Sequence, residues 1–177
     1  MQVRQATAED IDVVMEVVRR VVPLMRASGN FQWDDDYPNP AVFARDVEEG
    51  QLWLAEIDDQ IAGMAAITTD QEPEYAQAAW DASETAIVIH RLAVDPAFRG
   101  KGVAEFLMRH AEVAAAERKI RVLRVDTNIL NVATQKLLPK LGYIPAGEID
   151  LAFRPGLRFR CYEKRLCEGN GKSLGRL

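Results

Sequence analysis

The chain has 177 residues, 48% of them hydrophobic and 28% charged, and a formal net charge of −5. That length suits one compact domain, and the acidic balance argues against nucleic acid as the main partner, since gripping a phosphate backbone takes a dominant basic surface. No apolar run approaches the ~18 residues of a membrane span, Met1-Gln2-Val3-Arg4-Gln5 lacks the apolar core of a signal peptide, and Cys161 and Cys167 make neither a disulfide scaffold nor a metal-ligand pattern, so a reduced, cytoplasmic protein without a metal is expected.

In chain order, Val3 to Ala6 reads as a short strand. Thr7 with Asp10 three residues on marks a helix start. Ile11, Val14, Met15, Val18, Val21 and Val22 then recur at helical spacing, and Pro23 predicts a kink or an end. Residues 28–38 read as a loop. Asn39 caps a second helix with Pro40 at its first position, and Gly50 closes it. Leu52 to Ile57 and Ile61 to Thr68 form a hairpin across Asp58-Asp59-Gln60. A long polar loop over 70–84 leads into a strand from Ile87 to Val94. A helix from about Gly102 to Arg118 carries Val103, Phe106, Leu107, His110 and Val113 on one face. A strand from Arg121 to Thr127 and a helix from Asn131 to about Lys140, ended by Gly142, come next. Two closing strands, about 143–153 and 158–166, complete the sheet. Residues 1–167 are expected to form the domain, and 168–177 a disordered tail.

Strand 87–94, helix 102–118 and strand 121–127 make a βαβ unit, so those two strands should be parallel within a mixed sheet. Between the first strand and its helix stand Arg99-Gly100-Lys101-Gly102-Val103-Ala104. The first turn of a helix has unpaired N–H groups and roughly half a positive charge. Glycines let backbone approach an oxyanion closely, so a phosphate or pyrophosphate is the natural guest. Basic residues confined to one loop of an acidic protein favour a small anion over a polyanion.

At this loop the chain resembles the GCN5-related N-acetyltransferases, whose acetyl-CoA loop is Arg or Gln, two residues, Gly, one residue, then Gly or Ala. Arg99, Gly102 and Ala104 match it. Arg91-Leu92-Ala93-Val94-Asp95-Pro96 is similar to the family's central strand and turn, and Asn131 with Lys136-Leu137-Leu138-Pro139-Lys140-Leu141-Gly142-Tyr143 is similar to its Asn…Leu-Tyr-x-Lys-x-Gly-Phe segment. The resemblance implies a mixed, mostly antiparallel α/β (α+β) sheet of seven strands, splayed at its centre and flanked by about four helices. It also implies acetyl-CoA as co-substrate. The pyrophosphate would take N–H groups from Arg99, Gly100, Lys101, Gly102, Val103 and Ala104. Pantetheine would pair with the backbone of Leu92, Ala93 and Val94, and Asn131 would contact the cofactor near its reacting end. The implied activity is direct acetyl transfer to a primary amine, with a small cationic molecule as acceptor.

Strand alternation puts Val88, His90, Leu92 and Val94 on one face and Ile87, Ile89, Arg91 and Ala93 on the other. A buried imidazole needs a partner. His90 is read either as a hydrogen-bonded core residue or as the general base, a role that the resemblance to arylalkylamine N-acetyltransferases implies for histidines on this strand. An alkylammonium with pKa of about 10 costs roughly 4 kcal/mol to deprotonate at pH 7, so a base is needed. Glu84, Asp126 and Glu148 are weaker candidates, and Arg91 reads as one half of an ion pair. Leu138 stands where the family often has a tyrosine that protonates the departing thiolate, and leucine has no proton to give. The acid is therefore unassigned, with water or Tyr37 as substitutes. Trp33, Asp34 and Tyr37, in an aromatic and acidic loop, are candidates for holding a cationic amine. Against that stands a plain acidic loop with Trp33 packed in the core.

Two other functions compete. A non-catalytic acyl-CoA sensor fits the leucine at 138. A dinucleotide enzyme fits Gly100-x-Gly102 and Asp126, but Glu105 fills the third glycine position. The sequence leaves the acceptor unnamed, and a homodimer stays open.

Overall fold

Residues 1–167 are described by a computed structural model; the expectation for the tail 168–177 falls outside them. Strand β1 (Gln2–Gln5) leads into a single 3-10 turn held by Asp10, whose carboxylate accepts from Thr7 N–H at 2.7 Å and from Arg4 at 2.8 Å twice. Helix α1 (Ile11–Ala27) turns Val14, Val17, Val18, Val21 and Val22 inward. It does not end at Pro23. The carbonyl that loses its partner there belongs to Arg19, and both residues face solvent, so water can replace the missing N–H. Helix α2 (Pro40–Glu48) is capped by Asn39, which accepts from Val42 N–H at 3.1 Å.

The strands β2 (Leu52–Ile57), β3 (Gln60–Thr68), β4 (Ile87–Val94), β5 (Val122–Asn128), β6 (Ile144–Asp150) and β7 (Arg158–Arg165) join β1 in one sheet. Its order is β1-β2-β3-β4-β5-β7-β6, antiparallel throughout except for the β4–β5 pair. Helices α3 (Val103–Glu117) and α4 (Val132–Lys140) lie on one face over Ile67, Ile87, Ile89, Leu123 and Val125. On α3 the buried set is Val103, Leu107, Met108, Ala111, Ala114 and Ala115. Val113 is 52% exposed, so the apolar stripe lies further round the helix than large side chains alone suggest, the alanines making its centre. Helices α1 and α2 cover the other face over β2 and β3. The far half of that face, over Val88, Phe159 and Cys161, is covered by the connection between β3 and β4, which inserts Tyr75 and Trp80. Arg124, wholly buried on β5, fixes this connection by bonding Glu163 at 3.0 Å, the Asp81 carbonyl at 2.7 Å and Gln71, with Trp80 stacked 4.7 Å from its guanidinium.

Strict alternation fails in β4. Its register against β3 passes from Ala66↔His90 to Met64↔Ala93, so Arg91 and Leu92 together oppose Ala65. Arg91 sits at φ 53°, a bulge that swaps the faces beyond it. Leu92 and Val94 therefore join Ile87 and Ile89 on the α3 side, while Ala93 joins the opposite face. The Arg91 side chain, released from the alternation, reaches the buried Asp46 of α2 with Nε and Nη2 at 2.7 Å each. That fork holds a backbone angle costing about 1–3 kcal/mol in isolation.

Candidate active site

The parallel strands β4 and β5 pair only at Ile87↔Leu123 and Val88↔Arg124, although both continue well beyond. The gap opens into a cleft of about 730 Å³. From Ile89 onward, the β4 backbone has no β5 ladder partner on that side. Unpaired backbone amides and carbonyls at a cleft wall call for a partner with amides of its own.

One end of the cleft is the start of α3. Asp95, buried and held by Arg20 at 2.7 and 3.0 Å, accepts from Ala97 N–H at 2.9 Å and so sets the turn out of β4. Gly100 and Gly102 take φ of 78° and 79°, which a side chain would strain. Gly102 is the residue before the helix, and no side chain caps the first turn. Its N–H groups remain available to an anion. Arg99, Gly100, Gly102, Val103 and Ala104 line the cleft with Leu92, Ala93, Val94 and Asn131. Lys101 does not; its ammonium lies 5.1 Å from the Phe98 ring. Asn131 caps α4, accepting from Thr134 N–H at 3.3 Å and donating to Thr127 Oγ1 at 3.0 Å.

The middle of the cleft collects ionisable groups whose charged forms are disfavoured. Burial and the neighbouring Arg91 push the His90 imidazole below its ordinary value, so it is neutral at pH 7. Burial raises the carboxyls of Glu72 and Asp126. The Tyr75 hydroxyl donates to Asp126 at 2.5 Å. His90, Glu72 and Asp126 all line the cleft. Glu84 and Glu148 do not, being paired with Arg165 and Arg160 at 2.6 and 2.8 Å. Cys161 is buried, and burial pushes its thiol well above the ordinary value, which suits packing and not nucleophilic attack.

At the other end, the α1–α2 connection arches over the opening, with Gln32 Oε1 accepting from Asn128 N–H at 3.2 Å. Trp33 is 4% exposed and serves both core and cleft wall. Asp34 and Tyr37 are already engaged by a cation of the chain itself. Arg154, in the β6–β7 turn, pairs with Asp34 through Nη1 and lies 4.7 Å from the Tyr37 ring. Tyr37 Oη also accepts from Arg91 Nη1 at 3.3 Å. Asp34 stays below the usual carboxylate range although burial opposes this, because Arg154 and the N–H groups of Asp36 and Tyr37 hold its charge. Arg154 escapes a sequence reading, since a lone arginine in a hairpin turn carries no motif. Leu138 is fully buried in the α3–α4 core. Tyr143 is buried behind it, its hydroxyl unpaired and away from the cleft. Of the four tyrosines, Tyr37 alone lines the cleft.

Comparisons with known proteins place the family and the fold. The acetyltransferase (GNAT) family model matches residues 19–143. The N-acetylaspartate synthetase of Homo sapiens is 27% identical over 113 residues, 64% of this chain. The match takes in 34% of that protein's length, so this chain spans about a third of the curated relatives it first matches. Among solved structures, an acetyltransferase of the GNAT family from Streptococcus agalactiae superposes with a TM-score of 0.82 at 28% identity, over 94% of this chain and 96% of that one. The fold is also that of yncA from Salmonella typhimurium, solved with its cofactor acetyl-CoA, with a TM-score of 0.71 at 17% identity over 99% of both chains.

Proposed function

Because this chain belongs to the GNAT acetyltransferase family, we propose that residues 1–167 form an N-acetyltransferase domain that passes an acetyl group from acetyl-CoA directly to a primary amine. The observation that carries this is the parting of β4 from β5 beside an uncapped helix start. The residues present fit the co-substrate. First-turn N–H groups of α3, the two glycines and Arg99 suit its diphosphate. The free β4 edge at Leu92, Ala93 and Val94 suits the amides of its pantetheine arm, with Asn131 across the cleft. Lys101 adds charge near the diphosphate without lining the cleft.

When bound, acetyl-CoA supplies an activated acetyl thioester. His90 takes the proton that the ammonium sheds to free the nitrogen lone pair that attacks the thioester carbonyl. Its imidazole is neutral near pH 7 because burial and Arg91 hold it so. Free backbone N–H groups of the β4 edge would stabilise the charge that develops on the thioester carbonyl oxygen. Tyr37 returns a proton to the thiolate: Arg91 donates to its oxygen, which leaves the phenol proton free to give. This assigns the acid that the leucine at 138 cannot provide.

The test couples calorimetric titration with acetyl-CoA to thiol release in the presence of a panel of amines. Binding and amine-dependent release are expected, and Arg99→Glu should weaken binding about tenfold or more, as loss of a charge-assisted contact and its replacement by repulsion requires. Binding without release on any primary amine would overturn the transferase reading for this chain.

A further inference from the structure

The acceptor end of the cleft contains an incomplete ion pair. Arg154 gives Nη1 to Asp34, but its Nε and Nη2 are buried and have no hydrogen-bond partner. These two donors are not scattered. Nε–H and Nη2–H point the same way from one edge of the guanidinium, the edge that accepts a carboxylate in two parallel bonds. The same molecule shows what that edge does when it is satisfied. Arg91 sets it on the two oxygens of Asp46 at 2.7 Å each, and Arg160 sets it on one oxygen of Glu148 at 3.3 and 2.8 Å. Leaving two donors of a charged group buried and unpaired is costly, each by about 1–3 kcal/mol, and Arg154 is fixed in that position by the Tyr37 face and by Asp34.

Toward the middle of the same cleft, Glu72 and Asp126 have the opposite character. They are acids whose burial asks for a cation or a proton, beside a neutral His90. One cavity is thus lined both by Arg154, whose fork is unsatisfied, and by these acidic groups. A simple cationic amine answers only the second.

We propose that the acceptor is an amino acid with a free carboxylate, the carboxylate taken by the Nε–Nη2 edge of Arg154 and the amine directed to His90, Glu72 and Asp126. The proposal rests on the acetyltransferase reading above and narrows it. The apolar rim of Leu130, Val132 and Phe153, each about half exposed, leaves room for an acceptor side chain at the cleft mouth. Acetylation forms the N–C bond, releases the thiol of CoA and moves one proton from the amine, and the acceptor carboxylate takes no part in that balance.

The experiment measures acetyl-CoA-dependent thiol release with the protein amino acids, their carboxamides and their decarboxylated amines, for the wild type, Arg154→Gln and Arg154→Lys. For the best acceptor, the free acid should exceed its carboxamide and its decarboxylated amine in kcat/KM by about ten- to a hundredfold, the weight of hydrogen bonds to a charged group. That ratio should collapse toward one in both variants; Arg154→Lys keeps the charge and loses the fork, so it guards against a folding defect in the other. A second arm reads binding alone: N-acetyl amino acids should raise the melting temperature of the wild type more than their carboxamides do, and this difference should vanish in the variants. A wild type that acetylates the decarboxylated amine as well as the acid, or variants that keep the preference, would overturn the proposal while leaving the transferase intact. If no amine is acetylated, the parent reading fails, and the binding arm still decides whether Arg154 holds a carboxylate.

Discussion

His90, the proposed base, shows how one residue's environment bears on its chemistry. Burial alone would lower its basicity, and Arg91 next to it, a cation fixed by Asp46, lowers it further. The sign follows. A base held neutral below the ordinary histidine value of 6.5 is ready across the neutral range and fails only when pH drops through its lowered pKa. The acid limb of kcat/KM should therefore lie below 6.5, with a plateau above it. His90→Gln should abolish that limb and reduce kcat/KM by about 10²–10⁴. A pH–rate profile of the two proteins checks this, and a variant that keeps the limb would hand the role to another group. Nothing in the residue's identity distinguishes a base from a core histidine. The distinction comes from Glu72 and Asp126 on other elements, and from the bulge at Arg91 that sets where the strand's side chains point.

At the scale of elements, the contact between α3 and the sheet fixes the proposed anion-binding end. The start of α3 comes so close to β3 that a methyl on Gly63 would meet the Ala93 carbonyl oxygen and Val103 Cγ1 at 2.7 Å each. One neighbour is backbone and cannot move cheaply. Gly63→Ala should destabilise the fold by about 1–3 kcal/mol, a fall of several degrees in melting temperature. It should also weaken acetyl-CoA binding, because the displaced part is the first turn of α3; thermal melts and calorimetry on one preparation test both. The elements themselves are legible in the sequence because period and punctuation are local: Asn39 with Pro40, Asn131, and the glycines at 100 and 102 act within one turn of where they stand. What escapes is non-local. The bulge in β4 depends on Arg91 finding Asp46, 45 residues away, and no alternation rule contains that partner. The passage of α1 through Pro23 depends on which face meets water, and the apolar stripe of α3 is centred on alanines that a search for large side chains passes over.

The whole molecule explains why the two ends of the cleft differ so much in legibility. The proposed anion end is one continuous stretch, residues 92–104, with Asn131 added from the cap of α4. The acceptor end is assembled from segments brought together only by folding: Asp34 and Arg154 are 120 residues apart, and Glu72 comes from the connection that Arg124 fixes to β5. Such a site stores groups that the fold itself does not satisfy, and stability is lost where function needs an unpaired charge. Glu72 tests this. Its folded-state pKa is raised by burial, so ionising it opposes folding above the ordinary carboxyl value of 4.5, and the penalty is absent once pH falls below that value and the group is protonated in both states. Glu72→Gln removes the charge and nearly preserves the shape. Its melting temperature should exceed the wild type's at pH 7, the two should converge near pH 4, and acetyl transfer should fall. A variant that is less stable than the wild type at pH 7 would mean that Glu72 supports the fold, and that the cation it awaits is already supplied by the chain.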